Sequence, residues 1–218
     1  MLEHVWERAM MARYLTSVVI ATDDERIREA AAAFRARVVM TRTDHISGTD
    51  RVAEAASASD AHIVVNIQGD EPLIDPGAID AAILGLLESE DAPMGTLCTR
   101  IERGEDIADP NVVKVVMDAQ GNAIYFSRAP IPYRRDSLER VSYFKHIGLY
   151  VYRREFLLEY PGLPVGPLER AERLEQLRAL ENGHKIRVVE TAYDSLGVDT
   201  PEDWRRVAEL FEKTSITG

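Results

Sequence analysis

Short apolar runs rich in β-branched residues alternate with segments of helical periodicity over the first hundred residues, and this restricts the chain to an α/β fold. The runs are SVVIAT (17–22), RVVMT (37–41), HIVVNI (62–67) and MGTLCTRI (94–101). Between them lie an alanine-rich helix over 24–36 capped by Thr22 or Asp23, a helix near 50–58 and a helix from Pro76 to about Glu88. Such alternation predicts right-handed βαβ units and a doubly wound, mostly parallel mixed sheet. A helix over 2–13 comes first, with no strand before it and no glycine before Gly48.

Beyond residue 101 the pattern changes. NVVKVVMD and AIYFSR flank Ala119-Gln120-Gly121-Asn122, a predicted hairpin. YFKHIGLYVY (143–152) reads as a long strand. A helix is predicted over 167–182, with Pro167 at its start and Gly183 beyond its end. KIRVVET (185–191) is a strand, and a last helix starts at Thr200-Pro201, with Thr200 as its cap.

The chain has 218 residues, 45% of them hydrophobic, and a formal net charge of −11. The charge opposes binding to nucleic acid or to an anionic membrane surface. A nucleoside triphosphate remains compatible, since a metal and a few local cations can hold it. No run approaches the ~18 apolar residues of a membrane span, and the amino terminus carries no signal-peptide pattern. The single cysteine, Cys98, lies in an apolar strand. It fits a reducing, cytoplasmic setting as a buried thiol.

The densest polar cluster is NIQGDEPLI, 66–74. An apolar run feeds a tight turn with Gln68, Gly69, Asp70 and Glu71 at its carboxyl end. It reads as a buried parallel strand, and open α/β sheets bind ligands at that edge. Asp70 is either a turn cap or a ligand for a hard cation. Asp199, in GVDTPED, stands just before a helix, whose capping Thr200 and Asp203 already supply. Mg²⁺ takes one or two carboxylates and fills its remaining positions with water and phosphate oxygens, which Asp70 and Asp199 together would satisfy.

The run Ser47-Gly48-Thr49-Asp50-Arg51 either begins an ordinary helix or holds an anion with backbone N–H groups and the Arg51 guanidinium. His146 and Tyr150 alternate along one strand and should share a face. Arg128 ends the preceding strand and adds a cation. Glu175 and Gln176 lie beside or off the apolar stripe of helix 167–182 (Leu168, Ala171, Leu174, Leu177, Leu180), which predicts a solvated face.

Taken in order, MTRTDHISGTDR, NIQGDEPLI, KVVMDAQGNAIYFSRAPIP, HIGLYVYR, LEQLRAL and GVDTPED resemble the 3-deoxy-manno-octulosonate cytidylyltransferases. Acylneuraminate cytidylyltransferases fit less well. The resemblance implies a nucleotide-diphospho-sugar transferase-like fold with a β-rich dimerisation segment. It implies a magnesium-dependent cytoplasmic homodimer that joins CTP to 3-deoxy-manno-octulosonate for lipopolysaccharide synthesis. By motif, Asp70 and Asp199 become metal ligands. Arg51, Gln68, Arg128, His146, Tyr150, Glu175 and Gln176 become catalytic or sugar-site candidates. His45, Ser47, Gly48 and Thr49 become the cytidine-side loop.

The family opens with a strand and a basic, glycine-containing phosphate loop that has no counterpart in this sequence. Residues 1–218 are therefore expected to form one cytidylyltransferase-like domain that is N-terminally incomplete. Without that strand and loop, the chain is expected to be poorly soluble or inactive with CTP. Two alternatives stand beside this reading: a non-catalytic remnant that binds sugar or dimerises, and a cytidylyltransferase for another acidic sugar.

Overall fold

The computed structural model describes residues 1–136, 141–198 and 200–215. In chain order the elements are α1 (Leu2–Met10), β1 (Val19–Thr22), α2 (Glu25–Ala33), β2 (Arg37–Met40), α3 (Gly48–Ser57), β3 (Ile63–Asn66), α4 (Pro76–Leu87) and β4 (Met94–Arg100). They continue with α5 (Gly104–Ala108), β5 (Lys114–Met117), β6 (Ala123–Ser127), β7 (Phe144–Arg153) and α6 (Arg154–Glu159). A 3₁₀ turn (Tyr160–Gly162), α7 (Pro167–Glu172), α8 (Leu177–Glu181), β8 (Ile186–Glu190) and α9 (Pro201–Ser215) complete it.

β1 and β2 pair in parallel. The six-stranded sheet has the order β6-β5-β7-β4-β8, with β3 also pairing with β7. β7 is the organising strand. It runs antiparallel to β4 along one edge, and antiparallel to β5 and β3 at opposite ends of its other edge. β3 and β4 therefore run the same way with β7 inserted between them, and β8 extends β4 in parallel. This is a mixed α/β sheet with flanking helices, as expected, but it is not mostly parallel: among the described residues only β1–β2 and β4–β8 pair in parallel, because β7 enters antiparallel to β3, β4 and β5.

One expectation about β3 changes. Its apolar run predicts a parallel strand buried on both faces, whereas its partner is antiparallel and its first three residues are only half-buried. The partner residues lie 84 to 90 positions away, beyond the reach of any local pattern.

The sheet buries both faces. On one, α3, α6 and α8 cover Met94, Cys98, Phe126 and Tyr152. On the other, α1 and α4 cover Leu97, Ile147, Leu149 and Val151. Local signals account for several helix starts. Asp75 accepts from the Gly77 amide ahead of Pro76, and Thr200 and Asp203 exchange capping bonds at α9. α2 is capped by Asp24, whose carboxylate accepts from the Arg26 amide, and not by Thr22 or Asp23. Thr22 instead accepts from the Asp24 amide.

The predicted helix 167–182 is two short helices. Arg173, at the end of α7, adopts a left-handed conformation (φ 52°, ψ 49°), and the chain turns before α8 begins. The break follows from tertiary bonds: the Glu172 carboxylate accepts from the Ser127 hydroxyl at 2.6 Å and from the Arg128 amide at 2.9 Å. Those bonds fix the end of α7 to the end of β6, which a straight helix could not reach while α8 packs in the core.

Candidate functional site

The register of β7 leaves a notch in the sheet. β5 pairs with β7 only at Phe144 and Lys145, and β3 only from Tyr150 to Arg153. Between them, among the described residues, this edge of β7 makes no strand pairing from His146 to Leu149, and the His146 amide donates to the Val113 carbonyl at 2.8 Å. Gly148 is exposed, and a Cβ there would meet nothing within 4 Å. The polar end of β3 borders this notch, because Asn66 is the register partner of Tyr150.

His146 and Tyr150 share one face of β7, with ring centroids 5.5 Å apart, as alternation predicts. The His146 ring also packs edge-on against Phe126. Its Nε2 lies 3.0 Å from the Thr96 hydroxyl. Burial drives the His146 pKa down from 6.5 to about 3, so the ring is neutral at physiological pH. Tyr150 is pushed up by burial and by the charges of Tyr152 and Glu175, and stays a neutral phenol.

The neutral His146 ring has a consequence for stability. At pH values between about 3 and 6.5 the unfolded chain takes up a proton on this imidazole that the folded chain does not, so stability falls as pH falls. Comparing wild type with His146→Asn in urea, the wild type should lose about 1.4 kcal/mol more per pH unit between about pH 6 and 4. A stability difference between the two that does not change with pH would contradict the buried neutral ring.

Glu175 and Gln176 are not on a solvated face. The turn between α7 and α8 carries them inward, and Gln176 is only 4% exposed. Glu175 accepts from the Ser47 hydroxyl at 2.8 Å, and its backbone carbonyl accepts from the Tyr160 hydroxyl at 2.7 Å. Burial raises the Glu175 pKa, with Ser47, Arg178 and Thr49 opposing the shift. The Gln176 side-chain amide nitrogen is buried with no hydrogen-bond partner among the described residues. A buried donor left open is costly unless something else accepts from it.

The loop before α3 reaches the same place. Ser47 caps α3, its hydroxyl accepting from the Asp50 amide while donating to Glu175. Thr49 is buried and bonded to Tyr152 and Glu175. A Cβ on Gly48 would lie 3.8 Å from the Gln68 amide oxygen, so this loop touches the β3 turn. His45 is tied to Glu54 and lines an adjacent cleft with Arg42, Asp44 and Asp50.

Gln68 is exposed and donates to Asn66 Oδ1 at 3.4 Å. Asp70 is half-buried on the turn that follows. Its backbone carbonyl accepts from the Val198 amide at 2.9 Å, which brings the segment before Asp199 against this turn. Asp199 itself lies outside the described residues. Among the described residues no three or more His, Cys, Asp or Glu side chains form a group that could hold a metal. A hard cation that takes one or two carboxylates, with water and phosphate as its other ligands, makes no such demand, and Asp70 is half-buried on a turn that bonds the segment before Asp199.

The two arginines among the candidates are already engaged. The Arg51 guanidinium lies 2.6 Å from the Thr41 hydroxyl and 3.2 Å from the Asp23 carboxylate, at the carboxyl ends of β1 and β2. Arg128 donates to the Glu172 and Pro110 carbonyls and braces β6 against α7.

Other polar residues at the site escape a reading of the sequence. Asn66 and Thr96 are buried in strands; Asn66 opens the polar cluster 66–74 and Thr96 lies in the apolar run 94–101, and neither position marks a buried site residue by itself. Tyr193 donates to the Glu71 carboxylate at 3.0 Å, so Glu71 ties the turn to the segment leading to Asp199. No local pattern marks that contact.

A family described as Cytidylyltransferase matches residues 1–186. A 3-deoxy-manno-octulosonate cytidylyltransferase of Solibacter usitatus is 67% identical over all of this chain and 86% of its own length. One from Geobacter sulfurreducens is 54% identical over 97% of this chain and 89% of its own. A CMP:2-keto-3-deoxy-manno-octonic acid synthetase solved in complex with CTP superposes with a TM-score of 0.93 at 42% identity, covering 98% of this chain and 88% of that one.

Proposed function

The chain belongs to the 3-deoxy-manno-octulosonate cytidylyltransferases, and on that premise we propose that its site divides into a sugar pocket at the β7 notch and a triphosphate side at the Asp70 turn. It is a nucleotidyltransferase: CTP and 3-deoxy-manno-octulosonate give the CMP-sugar and pyrophosphate. The product serves lipopolysaccharide synthesis.

The observation that carries the division is the buried, open Gln176 amide, set beside the Ser47–Glu175 bond and the neutral His146 and Tyr150 side chains. These groups offer uncharged donors and acceptors suited to sugar hydroxyls. Glu175 is held for the same task by Ser47, Thr49 and the Tyr160 hydroxyl. Gln68 completes the pocket rim, and Arg51, although paired with Asp23 and Thr41, is the cation assigned to the sugar carboxylate. Arg128 supports the pocket through its hold on Glu172. His45, Ser47, Gly48 and Thr49 form the cytidine-side loop, which joins the two halves.

The anomeric hydroxyl attacks the α-phosphorus in line, an O–P bond forms there, the bond to pyrophosphate breaks, and the hydroxyl proton is lost to solvent. Asp70 and Asp199 are the carboxylates that would hold Mg²⁺. Bound there, Mg²⁺ supplies Lewis-acid polarisation of the phosphate oxygens and neutralises charge on the leaving group. The protein's own part is to place sugar and triphosphate against each other, and such positioning supplies much of the rate.

Residues 1–218 act as one domain of a homodimer. The two cores on opposite faces of the same sheet support the single domain. The outer hairpin and the segment after it support the dimer: β6 is an edge strand, Ile124 on it is 60% exposed, and Tyr133 beyond its end is 88% exposed. A cytoplasmic location accords with the buried free thiol of Cys98. No helix among the described residues is long and apolar enough to cross a membrane.

Calorimetry tests the division. His146→Ala, Tyr150→Phe and Gln176→Ala should each weaken sugar binding at least about tenfold, or about 1.4 kcal/mol, with CTP binding little changed. Equal losses for both ligands would remove these residues from the sugar pocket.

A further inference from the structure

Thr96 lies in β4 with no exposed surface, on the face it shares with Met94 and Cys98. A hydroxyl in such a place needs partners. Its Oγ1 stands 2.8 Å from the Leu149 carbonyl oxygen, 3.0 Å from that of Ile147 and 3.0 Å from His146 Nε2. The register explains why those carbonyls are there. Thr96 faces Tyr150, but the next residue, Leu97, faces Ile147. Gly148 and Leu149 are therefore looped out of the ladder beside Thr96.

A hydroxyl carries one proton. Two oxygens 2.8 Å apart repel unless a proton lies between them. Carbonyl oxygens cannot supply one, so the Thr96 hydroxyl points toward the carbonyls. Only its lone pairs face the imidazole. His146 Nε2 must therefore carry hydrogen and donate it. A neutral ring has one N–H, which leaves Nδ1 bare as an acceptor.

We propose that Thr96 is a positioning residue for sugar recognition: it fills the β7 bulge, holds His146 as the Nε2–H tautomer and so presents Nδ1 as an acceptor for a sugar hydroxyl. The role rests on the reading of His146 as a sugar-pocket residue. The other tautomer would present N–H to the pocket and meet a hydroxyl oxygen instead. Thr96 thereby sets which hydroxyl orientation the pocket accepts, without touching the sugar.

The test combines ¹⁵N NMR of histidine-labelled protein with kinetics for CTP and 3-deoxy-manno-octulosonate. Wild type should show His146 as a neutral Nε2–H ring. Thr96→Val, of nearly the same shape, should populate the Nδ1–H form and raise the sugar KM at least about tenfold, leaving the CTP KM unchanged. Thr96→Ser should restore both the tautomer and the sugar KM. A wild-type Nδ1–H ring overturns the proposal, as does a Thr96→Val enzyme that keeps either the Nε2–H ring or the wild-type sugar KM. Should Thr96→Val not fold, the wild-type spectrum and Thr96→Ser still decide. His146→Ala separates the two levels. If it raises the sugar KM while Thr96→Val does not, only the positioning role falls. If it leaves the sugar KM unchanged, the sugar-pocket reading fails and the positioning role goes with it.

Discussion

Replacing Asp70 by Asn lowers turnover at least about 10³-fold, equivalent to about 4 kcal/mol of transition-state stabilisation, while the urea midpoint stays near wild type. The substitution keeps the shape of the side chain and removes its charge. The turn that carries Asp70 is held by backbone bonds the change leaves intact: Val198 to the Asp70 carbonyl, Glu71 to Gln68 and Ile74 to Glu71. The loss should therefore fall on the response to Mg²⁺ and not on the fold. A role in capping the turn would produce the reverse, a lowered midpoint with turnover nearly kept. Near-normal activity with undiminished magnesium dependence would remove Asp70 from the triphosphate side.

Replacing Lys114 by Met should give the largest loss of stability, about 3 kcal/mol or more out of a total of about 5–15. Lys114 has no exposed surface, and burial depresses its pKa. Its ammonium donates to the carbonyls of Asp109, Val112 and Arg128 at 2.8, 2.5 and 2.6 Å. It gathers the loop before β5 and the end of β6 onto one point, where Glu172 also holds Ser127 and the Arg128 amide. Methionine keeps the stem and strands the carbonyls. The measurement is the urea midpoint at constant slope. A midpoint within error of wild type would show that water replaces the ammonium at no cost.

Elements defined by nearby residues were legible in the sequence. Pro76 and Gly183 marked a helix start and a helix end, and the Thr200–Asp203 box marked the last helix, because caps and turns are written within a few residues. The alternation of His146 and Tyr150 was equally readable, since two extra residues in the β7 bulge leave strand parity unchanged. What escaped depends on distant partners. The antiparallel setting of β3 is decided by β7. The inward turn of Glu175 and Gln176 is decided by the bonds of Glu172 to β6, which break the helix at Arg173. An apolar stripe continuous through 168–180 gave no sign of that break. The engagement of Arg51 by Asp23 and Thr41 lies likewise outside any motif.

Pyrophosphate release from CTP with Mg²⁺, measured across a panel of acidic sugars, tests the account most directly. Release is expected with 3-deoxy-manno-octulosonate, in place of the inactivity with CTP expected from the sequence alone, with little release for an acylneuraminate and none after chelation of the metal. Release that favours the acylneuraminate, or that continues undiminished in chelator, would contradict it.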